Sequence, residues 1–60
     1  MKAREMKKLL EKEYDSRIKS YKSIKNDSII KIEVAKAQVR EVEFVLEFLF
    51  SEEKMFEFED

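Results

Sequence analysis

Apolar side chains recur every three or four residues through the first half of the chain. At 3.6 residues per turn, this spacing keeps one face of a helix apolar. The stripe consists of Ala3, Met6, Leu10, Tyr14, Ile18, Tyr21 and Ile24. The positions opposite the stripe are mainly charged. The pattern therefore predicts an amphipathic helix over residues 3 to about 25 with a single buried face.

The second half of the chain carries two apolar stripes. One has the alternating spacing of a heptad seam and contains Ile32, Ala35, Val39, Val42, Leu46 and Leu49. The other lies on roughly the opposite side and contains Ile30, Val34, Ala37, Phe44, Val45 and Phe48. Only a narrow strip near Glu43 and Glu47 is polar towards the end. A helix over residues 28 to about 52 with this pattern must be covered on more than one side, by the first helix and by a second chain.

These stripes predict an all-α fold in which residues 1–52 form a helical hairpin. We expect two copies to pair into an antiparallel four-helix bundle. Its core and dimer contacts are assigned to Ile32, Ala35, Val39, Val42, Phe44, Val45, Leu46, Phe48 and Leu49. The turn is expected at residues 25–28, where Asn26 suits a helix end and Asp27 or Ser28 suits an N-cap.

An uninterrupted helix is the alternative. The apolar stripe stays in phase through Tyr21, Lys25, Ser28 and Ile32. One helix of about 80 Å could therefore pair in an antiparallel coiled coil, although Lys25 and Ser28 would weaken its seam.

Residues 53–60, the tail, differ in character from both helices. Phe56 and Phe58 alternate with acidic residues, which is the period of an extended strand. We expect the second helix to fray past Ser51 and the tail to stay mobile unless a partner binds it. Met55, Phe56 and Phe58 are the predicted anchors for a protein partner.

The composition excludes several kinds of chemistry. The 60 residues include no Cys, His, Gly or Pro. Disulfides, Cys/His zinc sites and glycine-rich phosphate loops are therefore ruled out. Without His or Cys, no pair of residues suggests a nucleophile and its base. We expect a non-enzyme with no cofactor, located in the cytoplasm because no apolar run could serve as a signal peptide or cross a bilayer.

Charge is distributed unevenly along the chain. Residues 1–26 carry a net charge of +5 and residues 27–60 a net charge of −6, which together give −1. Antiparallel packing, within the hairpin or between chains, sets basic segments against acidic ones. Binding to a membrane surface is not expected, because the more apolar half is also the acidic half.

These observations favour non-catalytic binding. The predicted function is to bind and occlude a larger protein, as a phage or mobile-element inhibitor of a host or defence enzyme would, in the host cytoplasm in that case. The alternative is a nucleic-acid-binding regulator with the architecture of the ROP bundle. It would contact phosphates through the basic face of the first helix, formed by Arg4, Lys8, Lys12, Lys19 and Lys22.

Overall fold

The chain folds into two antiparallel helices and an extended segment. A computed structural model describes residues 2–58 and contains α1, Ala3–Ile24, and α2, Ile29–Phe50. The predicted all-α helical hairpin is confirmed, and the alternative of one uninterrupted helix is wrong. Met1, Glu59 and Asp60, which the sequence assigns to the hairpin and the tail, lie outside the described residues.

The turn between the helices is built from short polar side chains. The Asp27 N–H donates to the Ile24 carbonyl at 2.8 Å, which closes the end of α1. Ser28 is the N-cap of α2, and its hydroxyl accepts a hydrogen bond from the Lys31 N–H at 3.3 Å. The Asp27 carboxylate accepts from the Ser28 N–H at 2.7 Å. These bonds satisfy a carbonyl at the end of α1 and N–H groups at the start of α2, so the chain reverses here without glycine or proline.

The core lies along the two predicted seams. Its buried residues come from the first stripe of α2 and the single stripe of α1, and they are Tyr14, Tyr21, Ala35, Val39, Val42 and Leu46. Leu10 and Ile18 pack against this core and are half-buried. The four buried apolar residues of α2 were all predicted core positions. Burial of these side chains is the main favourable contribution to the hairpin.

The second apolar stripe of α2 lies on the outside of the hairpin. Ile30, Val34, Phe44 and Phe48 are all exposed, as is Leu49 of the predicted seam. In a single chain these residues contribute no core, and their burial by a second copy stays a prediction. Neither helix within residues 2–58 combines the length and apolarity needed to cross a membrane.

Ser51 ends α2 and reverses the chain. Among residues 2–58 it is the one non-glycine residue with positive φ, at 55°, and its N–H donates to the Glu47 carbonyl at 2.9 Å. The following segment runs back along the hairpin in an extended conformation. Its even-numbered residues, 52 to 58, are half-buried and its odd-numbered residues are exposed. The strand-like period was predicted. The tail was expected to lack contacts with the hairpin, but residues within 53–58 pack on both helices.

A charge placed in the seam should unfold the chain. Leu46 is fully buried, so Leu46→Asp or Val42→Asp would bury a carboxylate without a partner. We expect a loss of about 3 kcal/mol or more, close to the whole stability of so small a domain. Urea titration followed by far-ultraviolet circular dichroism measures this loss.

Phe48→Asp is the matched control, because it places the same charge on the exposed face of the same helix. In dilute solution this control should keep its helical signal and its unfolding midpoint. An unchanged midpoint for Leu46→Asp would contradict the assignment of the core.

Candidate functional site

The carboxylate of Glu43 joins α1, α2 and the tail. Glu43 is only 6% exposed, on the side of α2 next to the seam. Its Oε2 accepts hydrogen bonds from the Tyr14 hydroxyl at 2.6 Å and from the Phe56 N–H at 2.7 Å. Its Oε1 accepts from Nη1 of Arg40, one turn earlier on the same helix. Three donors from three segments thus surround one buried anion, as a buried charge requires.

Arg40 completes the attachment of the tail. While Nη1 binds Glu43, its Nη2 donates to the Phe56 carbonyl at 3.0 Å. Both polar groups of the Phe56 backbone are therefore bonded to α2. The guanidinium also lies 4.5 Å from the centroid of the Phe58 ring. Arg40 and Glu43 together fix the position and the direction of the tail.

Three aromatic rings pack together where the tail crosses α1. Tyr21 is 2% exposed, and its ring centroid lies 6.1 Å from that of Phe56 and 4.8 Å from that of Phe58, both edge to face. Phe56 and Phe58 are 5.4 Å apart. Nζ of Lys22 lies 5.8 Å from the centroid of the Phe56 ring, and Nζ of Lys36 lies 5.6 Å from the centroid of the Phe58 ring. The favourable ring geometry and the nearby cations add to the apolar contact.

Ion pairs hold the beginning of the returning segment. Glu52 lies 3.1 Å from Lys7 of α1 and 3.1 Å from Lys54. Hydrogen bonds from Lys54 and, to a smaller extent, from Lys7 lower the pKa of Glu52. The hydrogen bond between Lys54 and Glu52 also raises the pKa of Lys54. Both pairs are partly exposed, so they direct the segment more than they stabilise it.

The pKa values at the attachment point are shifted in opposite directions. Burial alone would raise the pKa of Glu43, but hydrogen bonds from Tyr14, the Phe56 backbone and Arg40 outweigh it and hold the pKa below its ordinary value. Burial and the hydrogen bond to Glu43 strongly raise the pKa of the Tyr14 hydroxyl. At neutral pH the site therefore holds a carboxylate and a neutral phenol.

The outward side of the tail forms an acidic ridge around one apolar side chain. Met55 is 77% exposed, and with Glu47, Glu53 and Lys54 it lines an open depression of about 450 Å³. Glu53 and Glu57 flank Met55 along the extended chain and are exposed as well. We use "acidic ridge" for Glu47, Glu53, Met55 and Glu57. The ridge is held in place by Phe56 and Phe58, which point inward.

The predicted partner-binding residues thus divide into two groups. Met55 is on the surface, whereas Phe56 and Phe58 pack against the core and against Tyr21. In this conformation the two Phe side chains attach the tail to its own chain and are not free anchors. Of the three residues, Met55 alone is exposed.

The remaining predicted site residues differ in how exposed they are. Of the dimer and core set, Ala35, Val39, Val42 and Leu46 are buried, Ile32 and Val45 are half-buried, and Phe44, Phe48 and Leu49 are exposed. The residues proposed for nucleic acid, Arg4, Lys8, Lys12, Lys19 and Lys22, are all exposed on α1.

The polar strip predicted at Glu43 and Glu47 is wrong for Glu43. Glu47 is exposed, but Glu43 is buried because the tail covers it. Two sequence signals could have indicated this contact. A Tyr in the middle of a buried stripe needs a partner for its hydroxyl, and Arg40 lies three residues from Glu43, within reach on one helix.

The carboxylate of Glu43 is fully engaged by groups of its own chain. Within residues 2–58, no group of three or more acidic side chains is placed to hold a metal ion, and both oxygens of Glu43 are occupied by donors of the chain. Comparisons with protein-family models, curated proteins and solved structures gave no match.

Glu43→Gln should release the tail without unfolding the hairpin. The amide removes the charge and turns an NH₂ group towards donors that need an acceptor, so docking should lose about 2 kcal/mol. Hydrogen exchange of the Phe56 amide by NMR measures this loss. Glu47→Gln, one turn away and exposed, is the control and should leave Phe56 protected. Equal protection in both variants would mean that Glu43 does not hold the tail.

Acid should release the tail as well. The docked pKa of Glu43 is lower than its ordinary value of 4.5, so docking is stabilised above that pH and is lost as the pH falls through the lowered pKa. An NMR titration of the Phe56 amide shift follows this release. In Glu43→Gln the same titration should be flat, and a docked tail in strong acid would contradict the linkage.

Proposed function

We propose that the chain is a non-catalytic binding protein that occludes a surface of a larger protein through its acidic ridge. The observation that carries the proposal is the ordered tail. Its backbone is bonded to Glu43 and Arg40 on the inner side, and Met55 is left exposed on the outer side. A surface segment fixed in this way is organised before it meets a partner, which reduces the entropy lost on binding.

Met55 is the proposed anchor of the contact. A thioether side chain adapts to an irregular apolar pocket, and anchors of this kind contribute most of the energy of many interfaces. Because the side chain points away from the hairpin, its exposure brings the fold no packing energy. An exposed Met on an ordered segment is what an interface contact requires.

The surrounding charges indicate the chemistry of the partner. Glu47, Glu53 and Glu57 are exposed around Met55, so the complementary surface is an apolar pocket with a rim of Lys and Arg. Charge complementarity of this kind speeds association and selects the partner. A nucleic-acid or substrate groove of an enzyme has such a rim, which fits an inhibitor that acts by steric occlusion.

The proposal includes self-association and the setting of the protein. Pairing of two hairpins into a four-helix bundle would cover the second apolar stripe of α2 and carry two acidic ridges. We propose that the protein acts in the cytoplasm. A phage or mobile-element origin, with a host or defence enzyme as the target, is part of the proposal and is suggested by size and composition alone.

Nucleic-acid binding is the second candidate. One observation favours it, because Arg4, Lys8, Lys12, Lys19 and Lys22 are all exposed on one face of α1. Asp15 lies within that face, and the acidic ridge would repel phosphates. Protein binding is therefore preferred.

Photo-crosslinking tests the proposal. A photoreactive amino acid at position 55, in the full chain expressed in its own cells, should give one protein adduct that survives nuclease treatment. The same group at Leu9, an exposed apolar position of α1, is the control. Once the partner is identified, Met55→Ala should weaken binding about tenfold, as loss of a moderate anchor does.

Charge variants separate the two candidates. Glu53→Lys with Glu57→Lys should abolish the adduct, whereas Lys8→Glu with Lys19→Glu should leave it unchanged. The opposite result, or an adduct that disappears with nuclease, would favour the basic face of α1. No adduct above the Leu9 control would contradict a contact at Met55.

A further inference from the structure

The exposed side of α2 has the spacing of a helix-pairing seam. At 100° per residue, one strip of the helix, the outer stripe, contains Ile30, Val34, Ala37, Glu41, Phe44 and Phe48. The steps alternate between four and three residues, as in a heptad seam. Phe44 and Phe48 are 66% and 77% exposed and stack on each other with centroids 6.0 Å apart.

We propose that the outer stripe binds the outer stripe of a second copy in one antiparallel register. The register places Ile30 opposite Phe48 of the second copy, Val34 opposite Phe44, and Ala37 opposite Glu41. This inference rests on the self-association proposed above and adds the contact face, the direction and the residue pairs. A two-fold axis relates the copies, so each pair occurs twice.

Side-chain size supports this register. The aliphatic residues Ile30 and Val34 stand at the beginning of the stripe and the aromatic rings of Phe44 and Phe48 at its end. An antiparallel pair sets large side chains against smaller ones along its whole length, which is how facing helices fill space. A parallel pair would instead set Phe against Phe at one end and leave the other end loosely packed.

A depression between α1 and α2 lies beside the beginning of the outer stripe. It has a volume of about 390 Å³, and its lining includes Ile24, Ile30, Val34 and Gln38. In the proposed register, Phe44 and Phe48 of the second copy lie opposite Val34 and Ile30. The beginning of the stripe thus offers space beside the residues that the rings would contact.

The charges of α2 favour the same direction. Residues 29–40 contain Lys31, Glu33, Lys36 and Arg40, a net charge of +2. Residues 41–50 contain Glu41, Glu43 and Glu47, a net charge of −3. Lys36, Arg40 and Glu43 contact the tail of their own chain. The charges left for a partner are therefore Lys31 and Glu33 in the first half and Glu41 and Glu47 in the second. The antiparallel register sets Glu47 level with Lys31 of the second copy, whereas parallel pairing sets each Glu level with the same Glu of the other chain.

The polar residue in the stripe is compatible with pairing. Glu41 lies opposite Ala37 of the second copy, whose short side chain leaves the carboxylate room. Within its own chain, Glu41 is 3.7 Å from Nη1 of Arg17, which also donates to the Gln38 carbonyl at 2.8 Å. The anion therefore keeps a cation beside it at the centre of the contact.

The tail does not compete for this face. It contacts α2 at Lys36, Arg40 and Glu43, which lie roughly a quarter to a third of the circumference away from the outer stripe. A second copy on the stripe therefore leaves the tail docked and the acidic ridge on the surface.

Disulfide formation between variants tests the register. The chain has no cysteine, so Ile30→Cys and Phe48→Cys introduce the sole thiols, both at exposed positions that do not contribute to the core. A mixture of the two full-length variants under mild oxidation should give the mixed disulfide in about tenfold excess over either homodimer, because only the mixed pair is adjacent. A mixture of Lys12→Cys with Phe48→Cys is the control and should give little product.

Each other outcome overturns the inference in a distinct way. An excess of the disulfide-linked Ile30→Cys homodimer would show that the two copies pair in parallel. The chain would then self-associate, but the proposed antiparallel register would be wrong. Mixed product no faster than the Lys12 control would mean that the outer stripe does not pair at all. Neither result bears on the photo-crosslink at position 55. A second test does not use thiols. Phe48→Glu should raise the dimer dissociation constant about a hundredfold in sedimentation equilibrium, because each dimer loses two buried rings that contribute about tenfold each.

Discussion

The buried carboxylate of Glu43 is the interaction on which the arrangement of the three segments depends. A charge in this position is tolerated only if hydrogen-bond donors surround it. Two donors, the hydroxyl of Tyr14 and the guanidinium of Arg40, come from the helices, and the third is the Phe56 N–H of the tail. The hairpin by itself would leave this anion with one bond unmade and with Tyr14 and Tyr21 less covered. The tail is therefore part of the fold.

The extended conformation of the tail follows from the helices that it covers. An extended chain advances about 6.6 Å for every two residues. Along α1, Tyr21 lies about 10.5 Å beyond Tyr14, which is about two helical turns. Side chains on one side of the tail can therefore contact α1 at both places. Lys54 lies over the ring of Tyr14, and Phe56 and Phe58 lie against Tyr21. A helical tail would turn Phe58 away from Tyr21. An extended segment places both Phe side chains on the side that faces Tyr21.

The sequence predicts the parts of this structure that depend on local pattern. The seam of Ala35, Val39, Val42 and Leu46 follows from helical periodicity, and the Ser28 cap follows from turn chemistry. The docking of the tail depends on contacts between residues far apart in the chain, such as Tyr14 with Glu43 at a separation of 29 residues. Periodicity places Glu43 on a polar strip and gives no information about what crosses that strip. The acidic ridge could not be predicted either, because it exists only when Phe56 and Phe58 turn inward.

Docking of the tail does not remove the need to cover α2 on its outer side. This third segment does not take the place of the second chain that the two apolar stripes predict. The tail instead lies over Lys36, Arg40 and Glu43, the polar side of α2, and leaves Phe44 and Phe48 exposed. It satisfies a buried charge and buries its own two Phe side chains, but it covers none of the outer stripe. Phe44 and Phe48 therefore stay exposed with the tail docked, and their burial by a second copy is a proposal that the tail does not weaken. The case for a second copy is therefore as strong with the tail docked as it is for the hairpin alone.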